Sequence, residues 1–538
     1  MIPSWGEYPG DGRDERDERD EQGWGDGRVG GQDRGGGATG RVGGATGRVG
    51  SGRVGGATAG SPSGAGDMIE SDAEPPDPPD RRQRAVRPRT VRAEAVIDLD
   101  AMAANTRVLL ARMREVNPAA EMMAVVKAGG YGHGAVPSAR AALVGGATFL
   151  GVATPEEGLE LRAAGIEAPI LAWLWPAGQD IAPALAAGLD LGISGLDHLD
   201  AVLDTAAATG PARPRIHIKI DTGLGRNGVG PRGIAGVLDA VAAAQRAGRV
   251  QVVGLMSHLA SADVPGDPSV GEQTTTFREV LNLARDRGVT ARWHHLANTP
   301  AVLDHPDTYF DLGRCGIGLY GINPVATPAG LRPAMTLRGT IALTKRVPGG
   351  YGVSYGLTYR TATETTLALV PLGYADGIPR AAGGLAEVWL GGRRRRIAGR
   401  VAMDQFVVDC GDDPVAAGDD VIVFGPGDDG EPTAEDWAAA CDTIGYEIVT
   451  RIGPRIPRRA VGRDADAEPG VVAGRSTGLQ AGPEVGGPSS PEVGGPSSPE
   501  ADRPDDRDAH DRDAHDRHAR RRTPATGPLT DRSPGGRR

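Results

Sequence analysis

The sequence predicts an α/β protein: a closed (β/α)8 barrel over residues 91–328, then a mostly β domain over 329–462, between two terminal segments without a core. Three observations predict it. Gly (83 of 538 residues) and Pro (42) form their densest low-complexity runs at the two ends. From about residue 91 to 330, apolar runs alternate with helical patterns in a steady beat. Beyond about 330 the runs become short and are separated by Gly-rich turns, which reads as a separate, mostly β unit.

Residues 1–90 pass through "DGRDERDERDEQ", "GGATGRVGGATGRVG" and "EPPDPPDRRQR"; residues 463–538 pass through "PEVGGPSSPEVGGPSSPE" and "DRDAHDRDAHDRHARRR". Such segments cannot bury enough apolar surface to offset the entropy of ordering, so both tails are expected to be disordered. Met68 is a candidate start, since low-complexity sequence precedes it. Eight apolar runs then read as buried parallel strands: "MMAVVK" (122–127), "FLGVAT" (149–154), "PILAWLW" (169–175), "DLGIS" (190–194), "RIHIKID" (215–221), "QVVGLMSHL" (251–259), "RWHHLAN" (292–298) and a run within "YFDLGRCGIGLYG" (309–321). Between them lie helical patterns such as "PEEGLELRAAG", "DHLDAVLDTAAA" and "EQTTTFREVLNLARDRG". The β unit carries "LRGTIALTKRV", "TTLALVPLGYA", "AEVWLGGRRRRIAGRVAM" and "DDVIVFGP".

A net charge of −11 argues against a dedicated nucleic-acid binder. No apolar leader opens the chain and no run approaches 18 apolar residues, which argues against secretion and against a membrane span. Cys315, Cys410 and Cys441 lie far apart in no C-x-x-C pattern, which fits a reducing cytoplasm and excludes a thiolate metal cluster.

"RIHIKIDTGLGRNGVG" (215–230) has the spacing G-x-G-x-x-G at Gly223, Gly225 and Gly228. A dinucleotide fold would put this motif in its first β-α-β unit, with an acid closing a second strand about 20 residues on. Here it lies deep in the chain, and the next acid, Asp239, falls mid-helix. The dinucleotide reading fails on both counts. A different pattern is stronger. Lys127, Arg226, His258, Asn298, Thr299 and Arg314 each fall at or just beyond the carboxyl end of an expected barrel strand, the rim where barrel active sites are built. One such residue could simply solvate a loop; six on separate strand ends point to a site.

"AVVKAGGYGHG" (124–134) resembles the cofactor-lysine signature of the alanine racemases, and further blocks resemble that family in order: "AVIDLDAMAAN", "IKIDTGLGRNG", "SHLASAD", "ANTPA", "RCGIGLYG", "GVSYGLTY", "GYADG", "GRVAMDQ" and "GYEIVTRIGPRIPR". The resemblance covers about residues 91–460, and "LAWLW" around Trp173 is similar to the actinobacterial branch. It implies a TIM-like barrel plus β domain, pyridoxal 5'-phosphate as cofactor, a small amino acid as substrate, and a homodimer with shared sites that supplies D-alanine for peptidoglycan. By the same resemblance Lys127 carries the cofactor and acts as one base. Tyr355 of a second subunit is the other. Arg314 meets the pyridine nitrogen. An Arg always carries its protons and can only donate, so the nitrogen stays unprotonated and the electron sink weak. That favours return of a proton over side reactions. The competing reading of Arg314 is an ion pair with Asp311.

The resemblance further implies that His258 couples Tyr355 to Arg314. Arg226 holds the cofactor's phenolic oxygen and helps bind the substrate carboxylate, and a carbamate on Lys219 positions it. Tyr131, Thr299, the backbone of Gly316 and Ile317, and Tyr446 hold the phosphate, with Asn298 beside them and Trp173 near the cofactor. Met403, with Asp404 next to it, meets the substrate carboxylate from the partner, while Tyr374 and Tyr446 narrow the entrance. Ala402 stands where many relatives carry Cys. His217, His294 and His295 read as ordinary structural histidines. Two alternatives stay open: a racemase of broader specificity, and a non-catalytic pyridoxal-phosphate carrier. Carriers on bare barrels lack a β domain with a catalytic Tyr.

Overall fold

The described chain enters through its second domain. In the computed structural model, which describes residues 91–209 and 213–462, β1 (Ala93–Asp98) pairs antiparallel with β10 (Met335–Thr340) and parallel with β19 (Arg458–Val461). Residues 93–98, inside the span expected for the barrel, thus belong to the sheet of the β domain. The local pattern "AEAVID" marks a strand but carries no information about a partner 240 residues away. Both tails and Met68 lie outside the described residues.

The barrel is built from β2 (Glu121–Val125), β3 (Phe149–Val152), β4 (Ile170–Ala172), β5 (Asp190–Ile193), β6 (Arg215–Lys219), β7 (Gln251–Met256), β8 (Trp293–His295) and β9 (Leu312–Cys315). Their order is β8-β7-β6-β5-β4-β3-β2-β9, and every ladder is parallel. The ring closes between β8 and β9 by two bonds, Asp311 N–H to the His294 carbonyl (3.1 Å) and Arg314 N–H to the Ala297 carbonyl (2.9 Å). The strands are shorter than the apolar runs that predicted them, because each run continues into a rim loop. In "PILAWLW" the amides of Trp173 and Leu174 both turn to the Ala153 carbonyl, which ends β4. In "RCGIGLYG" a 3-10 turn over Ile317–Tyr320 follows β9.

Helices between the strands start where the chemistry of caps places them. Asp98 accepts from Ala101 N–H to open Leu99–Val116, and Thr154 with Glu157 forms a capping box ahead of Pro155–Ala163. No helix among the described residues is long and apolar enough to cross a membrane.

The second domain holds β11 (Leu343–Val347), β12 (Gly352–Val353), β13 (Tyr359–Arg360), β14 (Thr365–Val370), β15 (Glu387–Leu390), β16 (Arg393–Arg396), β17 (Phe406–Asp409) and β18 (Asp420–Phe424). One sheet runs β16-β15-β18-β10-β1-β19, a second runs β11-β14-β17, and β12-β13 form a hairpin. Trp437 anchors the first sheet: it is buried, and its indole N–H meets the carbonyls of Val423 (2.7 Å) and Glu387 (2.9 Å).

Candidate active site

A cavity of about 420 Å³ opens at the carboxyl ends of the barrel strands. Among the described residues that line it, Lys127, Lys219, Arg226 and Arg314 are cationic and none is an acid. Such a wall suits an anionic ligand.

Arg314, on β9, is buried, with both terminal nitrogens tied to protein acceptors. Its Nη1 donates to the His295 carbonyl (2.6 Å), and its Nη2 to the carbonyls of Ser257 (2.5 Å) and Leu296 (3.0 Å). Nη1 also lies 3.3 Å from His295 Nδ1, and Nη2 lies 3.3 Å from His258 Nδ1. Burial lowers its pKa to about 10, which leaves it protonated at neutral pH. Asp311 pairs instead with His294 (2.8 Å), so the competing ion-pair reading falls away. Because Arg only donates, His258 Nδ1 must accept and the ring hydrogen sits on Nε2. Burial and the charges of Arg314 and Arg226 hold His258 well below its ordinary pKa, so it is neutral.

Lys127 follows β2 and precedes a left-handed turn. Ala128, Gly129, Gly130 and Tyr131 all have positive φ, from 51° to 64°, with Gly130 N–H on the Val126 carbonyl and Gly132 N–H on that of Ala128. Left-handed helix costs an L-residue roughly 1–2 kcal/mol, so two glycines in four positions halve the strain. His133, donating from Nδ1 to the Tyr131 carbonyl (2.9 Å), braces the turn. Burial, then the charge of Arg226, lowers the Lys127 pKa, while Glu157 opposes the shift. Glu157 itself accepts from the amide of Ala128 at 2.6 Å.

The turn brings Tyr131 against Gly316, where an added Cβ would meet its hydroxyl at 2.3 Å. Thr299 Oγ1 accepts from the amides of Gly316 (3.1 Å) and Gly318 (3.4 Å), which leaves its own O–H to donate. Ile317 opens the 3-10 turn beside them. Asn298 lines the cavity but spends its side-chain oxygen on Ala301 N–H, capping Thr299–Asp304. Tyr446 reaches the cavity from the β domain of the same chain, its ring 6.3 Å from that of Tyr131. Trp173 closes another wall.

Lys219 ends β6 and is buried, its Nζ on the Asn227 carbonyl at 2.8 Å. Burial, with Arg314 and Arg226 nearby, lowers its pKa to about 8. The loop beyond folds on itself. Asp221 Oδ1 accepts from the amides of Gly223 (3.0 Å) and Gly225 (3.1 Å), and the next helix starts only at Ile234. The glycine spacing therefore presents no helix N-terminus to a pyrophosphate.

Four expected residues are not in this cavity. Tyr355 is 71% exposed, Met403 54% and Tyr374 43%, all on loops of the β domain. Ser354 Oγ donates to the Arg400 carbonyl, and the amides of Tyr374 and Ala375 donate to the carbonyls of Ala402 and Met403, so these loops form one patch. Asp404 beside them pairs with Arg455 at 2.8 Å. Sequence reasoning missed Ser257, whose carbonyl faces Arg314, while His217 and His295 are the buried structural histidines expected. Their hydrogen bonds also join into a chain of contacts that ends on Arg314, which the sequence did not show.

The architecture and the cavity have clear counterparts. Residues 97–324 match the alanine racemase N-terminal domain and 334–460 the alanine racemase C-terminal domain. The chain is 54% identical over 372 residues to the alanine racemase of Thermobifida fusca, covering 69% of this chain and 98% of that protein. It is 52% identical to the crystal structure of alanine racemase from D-cycloserine producing Streptomyces lavendulae, covering 70% and 98% of the two chains with a TM-score of 0.67. Alanine racemase from E. faecalis matches at 32% identity with a TM-score of 0.64, covering 69% of this chain and 98% of that one. Barrel, β domain and cationic rim cavity thus go together with sequence agreement over nearly the whole length of these relatives: the chain belongs to the alanine racemase family.

Proposed function

We propose that this chain interconverts L- and D-alanine as a cytoplasmic homodimer with pyridoxal 5'-phosphate as cofactor, supplying D-alanine for peptidoglycan. The cavity residues fit that cofactor. A cation-lined wall suits its phenolate and phosphate, and the hydroxyls of Tyr131 and Thr299 beside Gly316 form a cup that a larger residue at 316 would fill. When bound, the cofactor supplies the electron sink that acidifies the α-carbon.

The chain's own residues do the rest. Lys127, its amine favoured in the neutral form by burial, holds the cofactor and serves as a base on one face. Tyr355 of the partner subunit serves on the other. His258, bare at Nδ1 towards Arg314, keeps its Nε2–H to orient that tyrosine. Arg226 grips the substrate carboxylate. Met403, Asp404 and Tyr374 complete the entrance from the partner. Lys219 is carbamylated: a buried amine of lowered pKa beside two arginines is suited to become an anion that holds Arg226. Carbon-13-labelled bicarbonate should give a carbamate resonance that Lys219→Ala abolishes; no resonance in the parent would refute the modification.

The observation that carries the reading is Arg314, a guanidinium with no carboxylate partner among the described residues where an acid would maximise electron withdrawal. The test is chiral analysis of purified protein with L-alanine, L-serine and L-lysine separately. D-alanine should form fastest. No racemisation of any of them, with cofactor bound, would overturn the proposal.

A further inference from the structure

The barrel interior contains a polar column that the reaction proposed above does not use. Asp190 opens β5, His217 lies in the middle of β6, His295 ends β8, and Arg314 lies on β9; the first three are 0% exposed. At the floor, Arg215 donates to Asp190 from Nε (2.5 Å) and Nη2 (3.1 Å). His217 Nε2 is 3.1 Å from Asp190 Oδ2, and His217 Nδ1 is 2.9 Å from His295 Nε2. His295 Nδ1 then meets Arg314 Nη1 at 3.3 Å. The column joins the amino-terminal end of the barrel to the residue at the heart of the rim site.

Its two ends fix every hydrogen within it. A carboxylate only accepts, so His217 Nε2 carries its hydrogen; a guanidinium only donates, so His295 Nδ1 is bare. Each neutral imidazole has one N–H. The contact between them is then His295 Nε2–H donating to His217 Nδ1, with nothing left over. Two independent ends require the same polarity, from Arg314 through His295 and His217 to Asp190. A second hydrogen on either ring would set two donors face to face. Barrel interiors are ordinarily filled by branched aliphatic side chains, and an acid with two imidazoles costs desolvation that such a layer avoids. Room is also reserved for it: a Cβ on Gly254 would stand 2.6 Å from His217 Nδ1.

We propose that Asp190 is a positioning residue for Arg314, acting through His217 and His295. Its carboxylate polarises the column and keeps His295 Nδ1 bare as an acceptor towards Arg314, which holds the guanidinium oriented with Nη1 directed at that ring. Chains of hydrogen bonds in a low-dielectric interior strengthen one another in this way. The inference rests on the racemase reading only for what Arg314 faces; the column itself stands apart from it.

The test is nitrogen NMR of the cofactor-free protein labelled with nitrogen-15 histidine, with kinetics of the loaded enzyme in parallel. In the parent, His217 and His295 should both be neutral with the hydrogen on Nε2. A hydrogen on Nδ1 of His295 overturns the proposal without any variant. Asp190→Asn removes the charge at nearly constant shape; it should move the His295 resonances and lower kcat by about tenfold, a size usual for residues that orient a site's own groups, while KM for alanine changes little. If that variant does not fold, His217→Leu cuts the column but leaves Asp190 with Arg215, and the same shifts are expected. Unchanged His295 resonances and kcat in a folded variant overturn it. A parent that fails to racemise alanine would sink the functional reading, and the histidine resonances would still report on the column.

Discussion

The barrel cavity and the exposed face of the β domain would serve the proposed reaction in opposite ways. Arg314 is 5% exposed, with carbonyls and imidazoles fixing both its terminal nitrogens, whereas Tyr355 is 71% exposed on a short turn. Burial with fixed partners suits a group whose charge state must not vary. Exposure suits a group that has to meet a cavity belonging to another copy. On the reading proposed above, one chain offers the cofactor cavity and, elsewhere, the parts that complete its partner's site.

That division can be broken most severely by separating the two bases. Lys127→Ala and Tyr355→Phe should each be essentially inactive alone. Unfolded and refolded together in equal amounts, half of the dimers would be mixed, and each would hold one intact site of two. Recovery of about one quarter of parental activity is then expected from random pairing of a symmetric dimer. No recovery, with mixed dimers demonstrated, would mean that both bases belong to the same chain's site.

Next in size, Arg314→Leu should leave the carbonyls of Ser257, His295 and Leu296 buried without their donor. A loss of roughly 3 kcal/mol in urea unfolding at fixed protein concentration is expected. A stability equal to the parent's would show that water replaces those bonds, and that the site is less dry than its contacts imply.

The loss of stability through histidine between pH 6.5 and 4 should fall on the barrel, because every described histidine lies before residue 328. Burial pushes His133 down to about 4 from an ordinary 6.5, and His258 and His295 are also held well below. A folded-state pKa below the unfolded one means that the unfolded chain takes up the proton first. Stability is thus fully present above pH 6.5 and is lost as pH falls towards 4. For His133 alone this amounts to roughly 2 kcal/mol by pH 5. His133→Asn, which keeps a donor for the Tyr131 carbonyl, should flatten the unfolding curve across that window. An unchanged slope would show that the ring already ionises in the folded chain.

How far these features could be read beforehand depended on whether their cause is local. Lys127, Arg226, His258, Asn298, Thr299 and Arg314 each fall at the end of an apolar run or in the loop beyond it, so the same periodicity that marks a strand marks the rim. The pairing of β1 with β10 and β19 was illegible because a strand's partner is a long-range choice. The connection of His217 and His295 to each other was hidden for a related reason. Inside a strand a histidine looks like filling, and only the stagger of β5, β6 and β8 around the barrel brings the two rings edge to face in line with Asp190. The arginine-based logic of the site was legible through the resemblance of "RCGIGLYG", since no local pattern announces what a buried guanidinium will face.

The mildest change concerns Tyr374 on the exposed face. Its ring is 43% exposed, and the backbone of its turn is held by the Ala402 and Met403 carbonyls whatever the side chain. Tyr374→Ala should therefore alter stability by less than about 0.5 kcal/mol, the usual range for surface sites. Its consequence belongs to selectivity. If the ring narrows the partner's entrance, removing it relaxes the exclusion of side chains larger than a methyl group. A hydrophobic gate discriminates one extra heavy atom by only about 1–3 kcal/mol, so the ratio of kcat/KM for L-serine to that for L-alanine should rise by roughly tenfold. A ratio equal to the parent's would place the gate wholly on Tyr446, within the barrel's own chain, and would shrink the partner's share of the site to the base and the carboxylate contact.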